Sequence, residues 1–252
     1  MYWELGFLRV FLCTIVSPYF IVKSLQLRGR RQIAEPCKYC LVRMIVFFDV
    51  CFLYLFCFSQ VGILVKIPYK YIHTPLSLSD DELVTQIGGE SSVDLVTVAE
   101  AVHWFELPKF YSIVKRLLRQ PGGVIAVWGY NDSEVSPTFD PVMKRVRETT
   151  LPFYDPKAQC LFDGYRTLPF PFESVGLGSE GEPLQLDIQR VMSFEEMVRG
   201  LRSSSAVTKA KDQGVDLLPE EVIKELESAW GGPNVIKTVT IKAFMLAGKV
   251  KV

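Results

Sequence analysis

Three groups of residues in this 252-residue sequence have types and spacings that could do chemistry. His103 and Trp104 follow a nearly continuous apolar run from Val93 to Val102, VDLVTVAEAV. An imidazole can carry a proton near neutral pH, and an indole face attracts a cation by about 0.5–2 kcal/mol. Cys37-Lys-Tyr-Cys40 has the spacing of a zinc or redox pair. No second Cys or His pair follows at a usual interval, so no metal is assigned. Gly176-Leu-Gly178-Ser-Glu-Gly181 matches the pattern G-x-G-x-x-G. Dinucleotide binding needs a strand before those glycines and a helix N-terminus after them, so that free N–H groups meet phosphate. Here Pro171 precedes closely and a strand pattern follows, which predicts a turn feeding a strand.

The elements that must position these residues alternate from Tyr69 onward. Lys70 to His73 is a short strand candidate ending at Thr74-Pro75. Ser79 reads as an N-cap followed by Asp80, Asp81 and Glu82 in a first helical turn. Val93 to Val102 has the continuous apolar character of a buried parallel strand. Leu107 to Arg119 predicts an amphipathic helix with Phe110, Ile113, Val114, Leu117 and Leu118 on one face. Pro121-Gly122-Gly123 stops it, and Val124 to Trp128 supplies the next strand. Residues 131–172 interleave prolines with aromatics and read as an irregular insert, either a lid over a ligand or a loop packed on the surface. Further on come a strand at Leu184 to Ile188 and a helix from Phe194 to Arg202 capped by Ser193 with Glu196. A helix then runs from Pro219 to Trp230, and a last strand from Thr238 to Ala247. The last two strands are expected to form an antiparallel hairpin at one sheet edge. The fold class is α/β, with right-handed crossovers and a mostly parallel sheet.

Residues 1–68 obey a different grammar. About 65% of them belong to the set AVILMFWYC, against about 43% of the remainder, and only the second value suits an ordinary domain. The front is basic and the rest acidic, and together they cancel to zero net charge. That balance excludes a strongly basic nucleic-acid binder. Five of six cysteines lie in the front, so the body is expected in a reducing, cytoplasmic compartment. Residues 44–65 carry one charge, Asp49, and as a helix would span about 33 Å, enough for a bilayer core of about 30 Å. Residues 10–22 are uncharged too, but shorter and interrupted by Pro18. Charge begins at Glu4 and no basic region precedes the apolar run, so no cleaved signal peptide is expected. A membrane anchor and a translated intron or untranslated segment both account for this composition.

Val93 to Phe105, followed by Pro121-Gly-Gly-Val-Ile-Ala-Val127, resembles the fourth and fifth strands of class I S-adenosylmethionine-dependent methyltransferases. Tyr71-Ile-His-Thr-Pro-Leu-Ser77, His103-Trp-Phe105 and Leu217-Leu-Pro-Glu-Glu-Val222 narrow the likeness to the plant embryo-abundant and trans-aconitate-methyltransferase-like branch. It covers residues 69–252. The resemblance implies a Rossmann-like sheet of order 3-2-1-4-5-7-6, S-adenosylmethionine as cofactor and a small-molecule acceptor. It nominates Ala99, Glu100, Ala101, His103 and Trp104 beside the cofactor, with Pro75 and Leu76 near the adenine. His103 is the first candidate for a catalytic role and Glu100 the second. From physics alone, a ligand is expected at the carboxyl ends of parallel strands, where His103 and Trp104 sit.

One part of the family pattern is not matched. The first strand of such enzymes ends in an acid and a G-x-G-x-G loop, and the second in an acid that binds ribose. Before Tyr69, only Asp49-Val50 begins such a loop, and Cys51-Phe-Leu-Tyr-Leu-Phe56 follows in place of glycines. The expectation is an incomplete sheet whose fourth strand keeps an unpaired edge unless residues 41–67 cover it. A non-catalytic remnant or membrane-associated interaction protein is the alternative function.

Overall fold

The computed structural model describes residues 5–16, 19–30, 69–73 and 78–251. Segment 44–65, the pair Cys37 and Cys40, and the residues Pro75 and Leu76 lie outside the described residues. Among the described residues no helix is long and apolar enough to cross a membrane. The chain divides into two compact units. One comprises Met1–Gly129, Asp163–Leu184 and Phe244–Val252, the other Tyr130–Phe162 and Gln185–Ala243.

In the first unit, β1 (Leu5–Val16) and β2 (Tyr19–Arg30) form an antiparallel hairpin, with register from Val16↔Tyr19 to Leu5↔Arg30. β1 runs parallel to β4 (Leu95–Ala99), pairing Val10↔Leu95 through Cys13↔Val98. β2 runs antiparallel to β3 (Tyr69–His73). The edge of the fourth strand is therefore covered by residues 10–13, which corrects the expectation that 41–67 must do so. Of the apolar stretch 10–22, residues 10–16 lie in β1 and residues 19–22 in β2. Rows of Val, Ile, Phe, Leu and Thr suit a pleated surface, which is where β-branched and aromatic residues pack best.

The sheet order is β3-β2-β1-β4-β5-β8-β6, with β7 pairing β8 off that path. β5 is Val124–Glu134, β6 Glu173–Leu177, β7 Leu184–Ser193 and β8 Ile236–Lys249. The hairpin thus holds the two positions between β3 and β4. The last two strands pair with each other as expected, but the final strand also has β5 and β6 beside it, so it sits inside the sheet and not at its edge. The edge position belongs to β6, antiparallel to β8. The sequence hides β6 because it has no alternation and because its register shifts between Ser174 and Leu177.

Between β3 and β4 lies α1 (Asp80–Ile87), started by a reciprocal box in which the Glu82 amide donates to Ser79 Oγ and the Ser79 amide to Glu82 at 2.9 Å. Between β4 and β5 lies α2 (Leu107–Leu117), which buries Tyr111, Val114 and Leu117. Phe110 and Ile113, expected on that face, are only half-buried, and the Tyr111 hydroxyl donates to Pro169 O at 2.7 Å. The crossover closes on itself. Val93 N–H donates to Leu117 O at 2.9 Å, Arg119 N–H to Val93 O at 2.8 Å and Val124 N–H to Asp94 O at 2.9 Å. Arg119 also forms an ion pair with Asp94. Gly123 is obligatory there, since a Cβ would sit 2.6 Å from the Arg119 amide nitrogen.

The second unit contains most of the expected irregular insert, and it is not irregular. α3 (Asp140–Thr150) is an 11-residue helix, followed by short 3-10 turns and α4 (Gln159–Phe162). Pro141 concealed α3, yet it stands in the first turn, where proline costs no hydrogen bond. α5 (Phe194–Arg202), α6 (Ser205–Asp212) and α7 (Glu220–Trp230) complete the unit. Trp230, Leu226, Phe139 and Phe194 form its buried core together with Val142 and Val239.

Candidate functional site

The end of β4 leads into a short, tightly bonded turn. Ala99 closes the strand, and Glu100 adopts φ +51° while its N–H donates to Trp128 O at 3.0 Å. Positive φ in a non-glycine residue is uncommon and strained. Ala101 is buried, and Val102–Trp104 forms a 3-10 turn with Trp104 N–H donating to Ala101 O at 3.0 Å. His103 is half-buried and Trp104 is 38% exposed. Their rings lie 5.0 Å apart between centroids at 50°. Ala99, Glu100, Ala101, His103 and Trp104 are thus brought together at the carboxyl end of a parallel strand.

The sequence reading missed Tyr165. It is fully buried and also carries a positive φ, +58°, directly after Gly164 at +64°. Its hydroxyl lies 3.4 Å from His103 Nδ1, and its ring meets Phe244 edge-on at 4.9 Å. Asp163-Gly164 is a turn signal that could have marked this position. Only the fold brings it to His103, 62 residues earlier.

A second feature lies on β4 and β5. Thr97 pairs with Ala126 and Ala99 with Trp128, so these four side chains share one face. Thr97 Oγ1 and Trp128 Nε1 are buried on it without a hydrogen-bond partner among the described residues. Leaving a buried donor or acceptor unmet costs about 1–3 kcal/mol, which marks this face as unusual.

The cofactor implied by the sequence resemblance can be tested against this geometry. At the end of β4 stand the small Ala99 and the partly exposed rings of His103 and Trp104. At the end of β1, Val16 pairs directly with Tyr19 of β2. Among the described residues β1 is followed by β2 and not by a helix whose N-terminal amides could meet a ligand. The antiparallel β2 also ends at Arg30, beside Leu5 at the opposite end of β1. The described residues of the first two strands therefore do not form the strand–loop–helix turn with which the family is expected to hold S-adenosylmethionine.

The glycine pattern at 176–181 behaves as a turn. Its first two residues end β6, and Ser179 and Glu182 exchange backbone hydrogen bonds before β7 begins. Among the described residues no group of three or more His, Cys, Asp or Glu is placed to hold a metal. In the second unit, a recess of about 460 Å³ is lined by Arg202, Lys211, Val207 and Leu218 among others. Arg202 and Lys211 stand in the last turns of α5 and α6, where cations offset the helix dipole, so their charge is explained without a ligand.

No family profile matches the chain. A protein of Dictyostelium discoideum named as a methyltransferase is 29% identical over 164 residues, covering 63% of this chain and 60% of the relative. Methyltransferase ptaI of Pestalotiopsis fici is 23% identical over 215 residues, covering 63% and 61%. The chain spans about 60% of the length of these curated relatives. A solved structure from Anaeromyxobacter dehalogenans, described as a type II methyltransferase, shares 33% identity at a TM-score of 0.54, covering 64% of this chain and 66% of that one. In sequence and in its Rossmann-like α/β sheet, the chain is similar to methyltransferases.

Proposed function

We propose that residues 69–252 are the C-terminal part of an S-adenosylmethionine-dependent methyltransferase domain whose relatives methylate a small-molecule acceptor. The observation that carries this is the joint sequence and fold similarity to the Anaeromyxobacter structure. The embryo-abundant and trans-aconitate-like branch is the finer assignment. It rests on Tyr71–Ser77, His103–Phe105 and Leu217–Val222.

The part this chain's own residues play is at the end of β4. Ala99 and Trp104 present a small wall and an exposed indole, and His103 stands beside them. Catalysis of this class rests chiefly on proximity and alignment, so fixed orientation matters more than acid–base power. The β1–β2 hairpin replaces the loop that would grip the methyl donor, and this exact chain is expected to bind S-adenosylmethionine weakly or not at all. Calorimetric titration checks this. A dissociation constant near micromolar would overturn the expectation of weak binding and would support the methyltransferase assignment.

A further inference from the structure

We infer that Tyr165 is a positioning residue for His103, holding its imidazole in the tautomer with the proton on Nε2. His103 then takes part in any chemistry at this end of the sheet as a hydrogen-bond donor and not as a base. The inference stands whether or not S-adenosylmethionine is the ligand.

Three observations converge. First, a fully buried phenol is placed 3.4 Å from the Nδ1 of a half-buried imidazole. Second, the placement is made at the expense of backbone strain, because a bulky aromatic at φ +58° is an outlier that persists only where its surroundings over-determine it. The surroundings do so here. Arg166 N–H donates to Asp163 O at 3.4 Å and Leu168 N–H to Tyr165 O at 3.2 Å, while the Tyr165 ring is held against Phe244. Third, the His103 ring also meets the Trp104 ring, 5.0 Å away between centroids, so it cannot turn without disturbing a second aromatic contact.

Proton affinity decides the direction of the hydrogen bond. A phenol ionises near about pH 10, and a neutral imidazole nitrogen accepts a proton near about pH 6.5. The oxygen of a phenol is a far weaker base than that nitrogen. O–H···N is therefore favoured over N–H···O, and Nδ1 becomes the acceptor. In the neutral ring one nitrogen accepts and the other carries the hydrogen, so the hydrogen resides on Nε2. The hydrogen bond at one nitrogen sets the role of the other.

The test uses the chain's low histidine content. His73 and His103 are the two histidines, and a His73→Gln variant assigns their signals. Nitrogen-15 spectra of the full chain at about pH 9, well above the ordinary imidazole value of about 6.5, report the tautomer directly. The expected result is His103 with its hydrogen on Nε2 in the unaltered protein. In Tyr165→Phe the Nδ1 signal moves and the single-tautomer pattern gives way to a mixture. A wild-type ring carrying its hydrogen on Nδ1 overturns the inference, and that measurement requires no variant at Tyr165 to fold. A folded Tyr165→Phe protein with an unchanged His103 pattern overturns it equally.

Discussion

Two aromatic clusters in this chain are built from similar residues to different ends. In one, Trp230 meets Phe139 edge-on at 5.1 Å and Phe194 at 6.0 Å. Its indole N–H donates to Val235 O at 2.8 Å, and all three aromatics are buried at ordinary backbone angles. In the other, His103, Trp104 and Tyr165 combine a buried ring, a half-buried ring and one 38% exposed, with positive φ at Tyr165 and nearby Glu100. The first cluster has its polar atom met and its surface hidden, which is what stability alone selects. The second tolerates strain and exposes an apolar ring, as expected of the candidate site proposed above.

The largest test of that contrast is a pair of truncations. Trp230→Ala removes a fully buried ring and is expected to cost about 3–5 kcal/mol in urea unfolding. Trp104→Ala removes an exposed one and is expected to cost less than about 1 kcal/mol. Equal losses would erase the distinction between core and site. The second test asks whether every positive φ marks function. Gly178, at φ +85°, has no room for a Cβ, which would collide with Met245 O and come within 2.7 Å of the Leu184 nitrogen. Gly178→Ala is expected to cost more than about 1 kcal/mol, by the same measurement, for purely steric reasons. A neutral result would mean that the turn relaxes, and that positive φ in this chain carries little strain.

Smaller effects concern the helix carrying one side of the Trp230 cluster. Ser193 caps α5, which contributes Phe194 and Val198 to that core. Ser193→Ala is expected to cost about 1 kcal/mol. Smallest is the pH response of the two reciprocal caps. The Ser79 amide, donating to Glu82, holds that carboxyl below its ordinary value of 4.5, and the Ser193 amide does the same for Glu196. A lowered folded-state value means that the stabilisation is full above the ordinary value and fades as pH falls below it. The stability difference between the native chain and Glu196→Gln should therefore shrink on acidification below about pH 4.5. A difference that is constant from neutral to acid would remove the carboxylate from the cap.

The sequence was legible where local rules act alone. Ser79 with Glu82, Ser193 with Glu196, and Pro219 with Gly231 all bounded helices as their types predict. Val93 to Val102 announced a buried strand, though pairing confines it to Leu95–Ala99. What stayed hidden depends on distant partners. β6 is short and bulged, and it is a strand because β8 pairs with it. Pro141 masked α3 by looking like a breaker while standing in a first turn. The covering of β4 by residues 10–13 was concealed because continuous apolarity fits a membrane helix and a buried strand equally. At the site, His103 and Trp104 were visible from the strand they follow, whereas Tyr165 belonged to a stretch that carried no period.

The self-closed crossover between β4 and β5 bears on the order of assembly. The bonds linking Val93, Asp94, Leu117, Arg119 and Val124 join residues of one continuous segment. The pairing of Val10 with Leu95 must instead close a loop several times longer. Loop closure grows only slowly with length, about 0.6 kcal/mol per doubling, but contacts close in sequence are also found sooner. The crossover is thus the natural nucleus for this unit, with its amides the first to gain protection from exchange during refolding. The β1–β2 hairpin then adds to an edge that has already formed.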